Sequence, residues 1–237
     1  MKKLTSILLV IVILALTLTM SSCQMIDNAC LEFQRVDGGY IISWYNPINA
    51  PFDDGYLEIP STHRGKPVIG IGDRAIYNCD SLKSVTIGNS VTSIGDSAFN
   101  GCTSLKSITI PDSVTSIGND AFSKCTSLTS ITIPDSVTWI GQSAFYNCDS
   151  LTSIKIPDSV TSIGEWAFYN CDSLKSVTIP DSVTSIGIEA FYFCDSLTSI
   201  KFEGTVEQWN NVSLGSSWNY NVPATEVICS DGVVPLT

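Results

Sequence analysis

The chain has 237 residues, 15% of them charged, and acids outnumber bases by 23 to 12 for a formal charge of −11 and an isoelectric point near 4.3. That balance argues against a nucleic-acid binder, whose phosphate partners demand a basic footprint, and it disfavours unassisted docking on an anionic membrane surface. With His63 as its one histidine, the chain has no His pair for a metal. A lone loop His reads as a solvated side chain before a base, and the repeated Ser and Asp are spaced by the fold and not by a triad. Neither a catalytic residue nor a cofactor is therefore expected.

Residues 1–22 read as an export leader, with Lys2 and Lys3 ahead of an uncharged apolar run from Leu4 to Leu18. Thr19-Met20-Ser21-Ser22 then leads into Cys23, an ending that resembles a bacterial lipobox with Met20 where Leu is usual. Cys23 is the expected lipidation site; an ordinary signal peptide or an uncleaved anchor are the alternatives. Residues 23–32 form a tether. Residues 33–67 read as an N-terminal cap over the first open strand edge. Within it Tyr40 to Tyr45 alternates like a strand, Asn46 to Gly55 is turn-rich, and Ser61 to Pro67 is a projecting turn that carries His63.

Residues 68–202 are organised by a repeat. The unit Thr103 to Cys125 recurs every 23 residues without a gap from Asp80 to Cys194, and such a period marks a solenoid. Its opening L-x-x-I-x-I (Leu105, Ile108, Ile110) alternates like a half-buried strand. Pro-Asp turns the chain, Val114 and Ile117 give a second apolar edge closed by Gly118, and Ala121, Phe122 and Cys125 suggest a short helical piece. One unit buries too little to offset the entropy of ordering it, so the units stack or do not fold.

Cys79, Cys102, Cys125, Cys148, Cys171 and Cys194 share one column. A ladder of reduced, buried thiols is favoured over disulfides, because all six point the same way; like-facing thiols also fail to surround a metal. Residues 203–237 break the period and read as a C-terminal cap, with Trp209, Trp218, Val227 and Ile228 as closing residues. Cys30, in the tether next to the N-terminal cap, and Cys229, in the C-terminal cap, lie at opposite ends of the array.

Binding candidates come from departures between units. Tyr146, Tyr169 and Tyr192 occupy a column held earlier by Asn100 and Ser123, and Trp139, Trp166 and Phe193 occur only in later units. Aromatic side chains suit interfaces; a tyrosine ladder that steadies its own stack is the competing reading. Between the inward apolar positions a Ser/Thr ladder faces solvent, with Lys155 and Lys201 as basic members. The Asp residues after each Pro, and Asp149, Asp172 and Asp195, read as turn caps in preference to calcium ligands.

The unit L-x-x-I-x-I-P-x-x-V-x-x-I-G-x-x-A-F-x-x-C, from about Leu57 to Phe202, closely resembles the BspA-like leucine-rich repeat of bacterial surface proteins. The resemblance implies an α/β repeat solenoid: right-handed, β-rich, with a parallel sheet on one face, short helical turns and short strands on the others, capped at both ends. It also implies a non-catalytic role in cell-surface adhesion or ligand binding. The expected partner is a host or extracellular-matrix protein, with a glycan-binding module or an envelope scaffold as alternatives. The membrane is met only through an N-terminal lipid, and the chain is expected to be monomeric.

Overall fold

The computed structural model describes residues 30–45 and 55–236. The leader, Cys23, most of the tether and residues 46–54 of the N-terminal cap lie outside the described residues.

The repeat becomes a β-solenoid whose coils have three sides. The first side carries the L-x-x-I-x-I side of the repeat as β3 (Tyr56–Ile59), β6 (Ser84–Ile87), β8 (Ser107–Thr109), β11 (Ser153–Lys155), β13 (Ser176–Ile179) and β15 (Ser199–Phe202). Beyond the repeat, the segment with Ala224, Val227 and Cys229 adds β17 (Glu226–Ile228). These pair parallel and in register, Ile154 beside Val177 and Val177 beside Ile200. The file is interrupted at Ser130–Ile133, which leaves a three-stranded sheet before that unit and, with β18 (Val233–Pro235), a five-stranded sheet after it.

The second side is continuous. The two-residue strands β7 (Ser93–Ile94), β9 (Ser116–Ile117), β10 (Trp139–Ile140), β12 (Ser162–Ile163), β14 (Ser185–Ile186) and β16 (Ser213–Leu214) extend one sheet. Its other end is β5 (Lys66–Ile71) and the antiparallel hairpin of β1 (Leu31–Val36) with β2 (Gly39–Tyr45). The sheet expected to dominate, on the L-x-x-I-x-I side, is therefore the divided one. Glycine explains how the second side turns its corner so tightly. A Cβ at Gly164 would lie 2.7 Å from Gln142 N and from the carbonyl carbon of Gly141, so only a bare backbone lets successive coils touch there.

The third side corrects the helical expectation. The segments with Ala, Phe and Cys are chained turns in which hydrogen bonds alternate. Tyr146 N–H reaches back to Ser143 O at 3.1 Å, Asn147 N–H crosses to Tyr169 O in the next coil at 2.9 Å, and Cys148 N–H reaches back to Phe145 O at 3.2 Å. Left-handed residues, Ser143 at φ 53° and Asn147 at φ 56°, flip alternate peptides sideways. A helix would direct every N–H within its own coil; the alternation gives the neighbouring coil half of them. The five-residue α1 (Val206–Asn210), capped by Thr205 and Gln208, is the helix among the described residues.

Inside, like residues form files. The rings of Phe99, Phe122, Phe145, Phe168 and Phe191 stack with centroids 5.1–5.6 Å apart. Leu105, Leu128 and Leu151 are fully buried. The column cysteines are reduced, and each thiol from Cys102 on donates to a carbonyl of the preceding coil, as Cys148 Sγ does to Phe122 O at 3.2 Å. Burial pushes the Cys125 thiol up to about 12.

The stack does not stop at Phe202. A further coil follows in which Gly215, Ser217 and Asn221 repeat the backbone of Gly187, Glu189 and Phe193, with Ser217 and Asn221 again left-handed. Trp218 takes the place of the usual Ala and lies edge-on over Phe191, while Trp209 packs on Phe202 and Trp218. Val227 is buried and Ile228 is exposed. Cys30 and Cys229 are both buried at their own ends of the array.

The segment around His63 is a tight hairpin, β4 (Thr62–His63) against β5, turned by Arg64 and Gly65 at φ 48° and 72°. His63 is not a solvated loop side chain. It stacks on Phe33 at 3.8 Å and meets Tyr40 edge-on. Burial, then the Arg64 charge, lowers its pKa.

Candidate functional site

Chemistry on this molecule is presented on faces, and the sequence-selected residues divide among all three. Lys155 and Lys201 stand on the first side, exposed, on strands β11 and β15 with Thr178 of β13 between them. Lys201 approaches Glu203 at 3.8 Å with both side chains well exposed, a pair that contributes little. Trp139 is on the second side, 40% exposed, in a row otherwise made of Ser93, Ser116, Ser162, Ser185 and Ser213.

Tyr146, Tyr169, Tyr192, Trp166 and Phe193 come together on the third side. Each Tyr follows the buried Phe of its unit and points the other way, so the coil spacing sets the ring spacing. Tyr146 and Tyr169 stack at 5.1 Å, Tyr169 and Tyr192 at 5.0 Å. The file has a fourth member that the period alone does not reveal, Tyr220, stacked on Tyr192 at 4.8 Å and 54% exposed. The signal for it is the degenerate Ser213-Leu214-Gly215, set 28 residues instead of 23 after its predecessor Gly187 because α1 intervenes. Phe193 lies edge-on to Tyr192 at 4.5 Å and to Tyr220 at 6.0 Å.

Trp166 and Phe193 occupy left-handed backbone positions, at φ 55° and 56°. Bulky residues pay about 1–2 kcal/mol there. Asn78, Gly101, Asn147, Asn170 and Asn221 hold the column of Phe193 at much lower strain. Two large aromatic residues are thus placed where local backbone preference opposes them, and strain of this kind concentrates at functional sites.

Trp166, Tyr146, Tyr169 and Glu189 line an open recess of about 320 Å³. Trp166 Nε1 donates to Glu189 Oε2 at 3.1 Å, which aims the indole across the recess. Burial, then the neighbouring Tyr146, Tyr192 and Glu189, raises the Tyr169 phenol above its ordinary pKa. Beside the file, burial and then Asp172 raise the Asp149 carboxyl, and burial and then Asp195 raise that of Asp172. Among the described residues no group of His, Cys, Asp and Glu is placed to hold a metal ion. No helix of those residues is long and apolar enough to cross a membrane.

A repeat solenoid whose polar and aromatic side chains lie on open faces is a scaffold that presents surfaces. A family model described as the BspA type leucine rich repeat region matches in six copies, over residues 69–155 and 92–221. The chain belongs to this family, whose members are bacterial surface proteins and whose solenoids are in general non-catalytic binding scaffolds. Among solved structures, the chain is similar to the T. pallidum leucine rich repeat protein at 33% identity and a TM-score of 0.72, covering 82% of this chain and 89% of that one. A Bacteroides ovatus leucine-rich repeat protein is 25% identical, with a TM-score of 0.42, 85% of this chain and 70% of that chain covered. The pneumococcal vaccine antigen PcpA is 18% identical, with a TM-score of 0.46, 84% of this chain and 47% of that chain covered. No curated protein matches the sequence.

Proposed function

We propose that this protein is a lipid-anchored adhesin of the bacterial cell surface, held through Cys23, that binds a host or extracellular-matrix protein on the third side of its solenoid. The observation that carries this reading is the half-exposed file Tyr146, Tyr169, Tyr192 and Tyr220, with Trp166 and Phe193 held beside it in strained backbone. Rigid rings lose little entropy on contact, and a pre-stacked file loses less still.

A competing observation favours a purely structural file: the rings lie within 18° of parallel and each covers its neighbour. The chain without residues 1–22 would be screened against immobilised matrix proteins and glycans, beside a variant with Tyr146→Ser, Tyr169→Ser and Trp166→Ser. Loss of a saturable signal in a variant that keeps its circular dichroism supports the adhesin. Binding that survives while the melting temperature falls leaves the file as part of an envelope scaffold.

A further inference from the structure

We propose that the recess beneath Trp166 takes a cationic side chain, so that the third side recognises a lysine- or arginine-rich segment of a partner protein. The inference rests on the reading of this side as the binding face and names the chemistry of what it binds.

Three observations converge. The recess is lined by Tyr146, Tyr169 and Trp166 and closed by one carboxylate, Glu189. The faces of Tyr169 are covered by Tyr146 and Tyr192, so the indole of Trp166, stacked on no other ring among the described residues, offers the open face. An ammonium or guanidinium over the indole face is attracted by its quadrupole, and Glu189, with Oε2 engaged by the indole, has its other oxygen for a charge-assisted bond. The surroundings repeat the sign. In the three turn segments 141–149, 164–172 and 187–195 the charged residues are Asp149, Glu165, Asp172, Glu189 and Asp195, with no Lys or Arg. These acids border the tyrosine file on both sides, since Glu165 and Glu189 precede the rings and the Asp residues follow them in each coil. None of them forms an ion pair among the described residues.

The Asp file adds a reason for a cation to gain there. Repulsion along it contributes to the raised carboxyl pKa of Asp149 and Asp172, and a bound cation relieves that repulsion. The Asp149, Asp172 and Asp195 file carries the acidic surface across three coils beside the recess, which suits a segment with several basic residues over a single cation. A neutral saccharide would need open ring faces, which the stacked tyrosines cover, and its hydroxyls bond carboxylates without offsetting their charge, so the observations favour the basic segment.

The test is titration of the chain lacking residues 1–22 with fluorescent deca-arginine, an alternating Lys-Ser peptide, a Tyr-Ser-Gly peptide of zero charge and a neutral oligosaccharide, each at 50 and 300 mM salt. Expected is binding of both basic peptides, weakened at least tenfold by the higher salt and about tenfold by Glu189→Gln or Trp166→Asn. The control variant Asp112→Asn/Asp135→Asn, altered at exposed turns between the first and second sides, should bind within twofold of the parent. Equal losses in that control, or full binding by Glu189→Gln and Trp166→Asn, would reduce the effect to net charge and overturn the inference. If only the neutral peptide or the saccharide binds, and Trp166→Asn abolishes it, the cation is wrong while the binding face stands. If the screen finds a partner whose binding ignores every third-side variant, both fail.

Discussion

At the scale of single residues the columns are not interchangeable, because each does a different physical job. Gly164 has no room for a methyl group against the backbone of Gly141 and Gln142. Gly164→Ala is therefore expected to lower stability by about 1–3 kcal/mol, read as a lower urea midpoint with an unchanged slope. Trp166 is the opposite case. Replacing it with Asn relieves left-handed strain but removes the bond to Glu189, two terms of about 1 kcal/mol each, so stability should move by less than about 1 kcal/mol. Tyr169→Ser should cost more than Trp166→Asn, since Tyr169 is covered by rings on both sides. If Trp166→Asn proved the more damaging of the two in denaturant melts, the strain at Trp166 would have a structural purpose and not a functional one.

At the scale of one coil, the thiol column makes a pH prediction with a definite sign. The Cys125 pKa is raised from 9.0 to about 12 by burial. The unfolded chain thus releases this proton first, so its contribution is complete below pH 9 and is lost as pH rises toward about 12. Melting temperature should fall through that window, and Cys125→Ala should flatten the fall while lowering stability at neutral pH. Thiol reagents at pH 8 should label the column only as fast as the array opens. The same segment shows what sequence spacing can and cannot convey. Alternation in L-x-x-I-x-I reports the strands, because burial of every second side chain is what a pleated strand does. Ala121, Phe122 and Cys125 at spacings of one and three fit a helical face, but they fit chained turns equally well. Apolar spacing is blind to the sign of φ. The distinguishing sign lay in the polar positions, where Asn78, Gly101, Asn147, Asn170 and Asn221 tolerate left-handed backbone. Lys124 and Phe193 obscured it. The aromatic column was legible for its three in-period tyrosines, whereas Tyr220 was displaced by α1 and flanked by Leu214 and Trp218 where Ile and Ala are the rule.

At the scale of the whole molecule, the array is a one-dimensional stack in which each coil is stabilised mainly by its two neighbours, so whole coils and chain ends should respond differently to removal. Deleting Thr126–Cys148 joins Cys125 to Asp149 with every column still in register. It also removes the unit where the first-side sheet is divided, bringing β8 and β11 next to each other. The shortened chain should fold, with the far-ultraviolet spectrum of the parent and a lower melting temperature from the loss of one interface. Deleting only residues 126–136 removes about half a coil and turns the Leu, Ile and Phe files toward solvent, and it should not fold. Ending the chain at Phe202 keeps every regular unit yet uncovers Phe202 and Phe191, which Trp209 and Trp218 now shield. It also bares the backbone of β14 and β15, to which β16 and β17 pair. A parallel edge of that kind recruits other chains. The truncated protein should therefore elute from a sizing column as oligomers or aggregate, while the internally deleted one elutes with the parent. A monomeric, fully stable truncation would mean that residues 203–236 decorate the end of the stack without closing it.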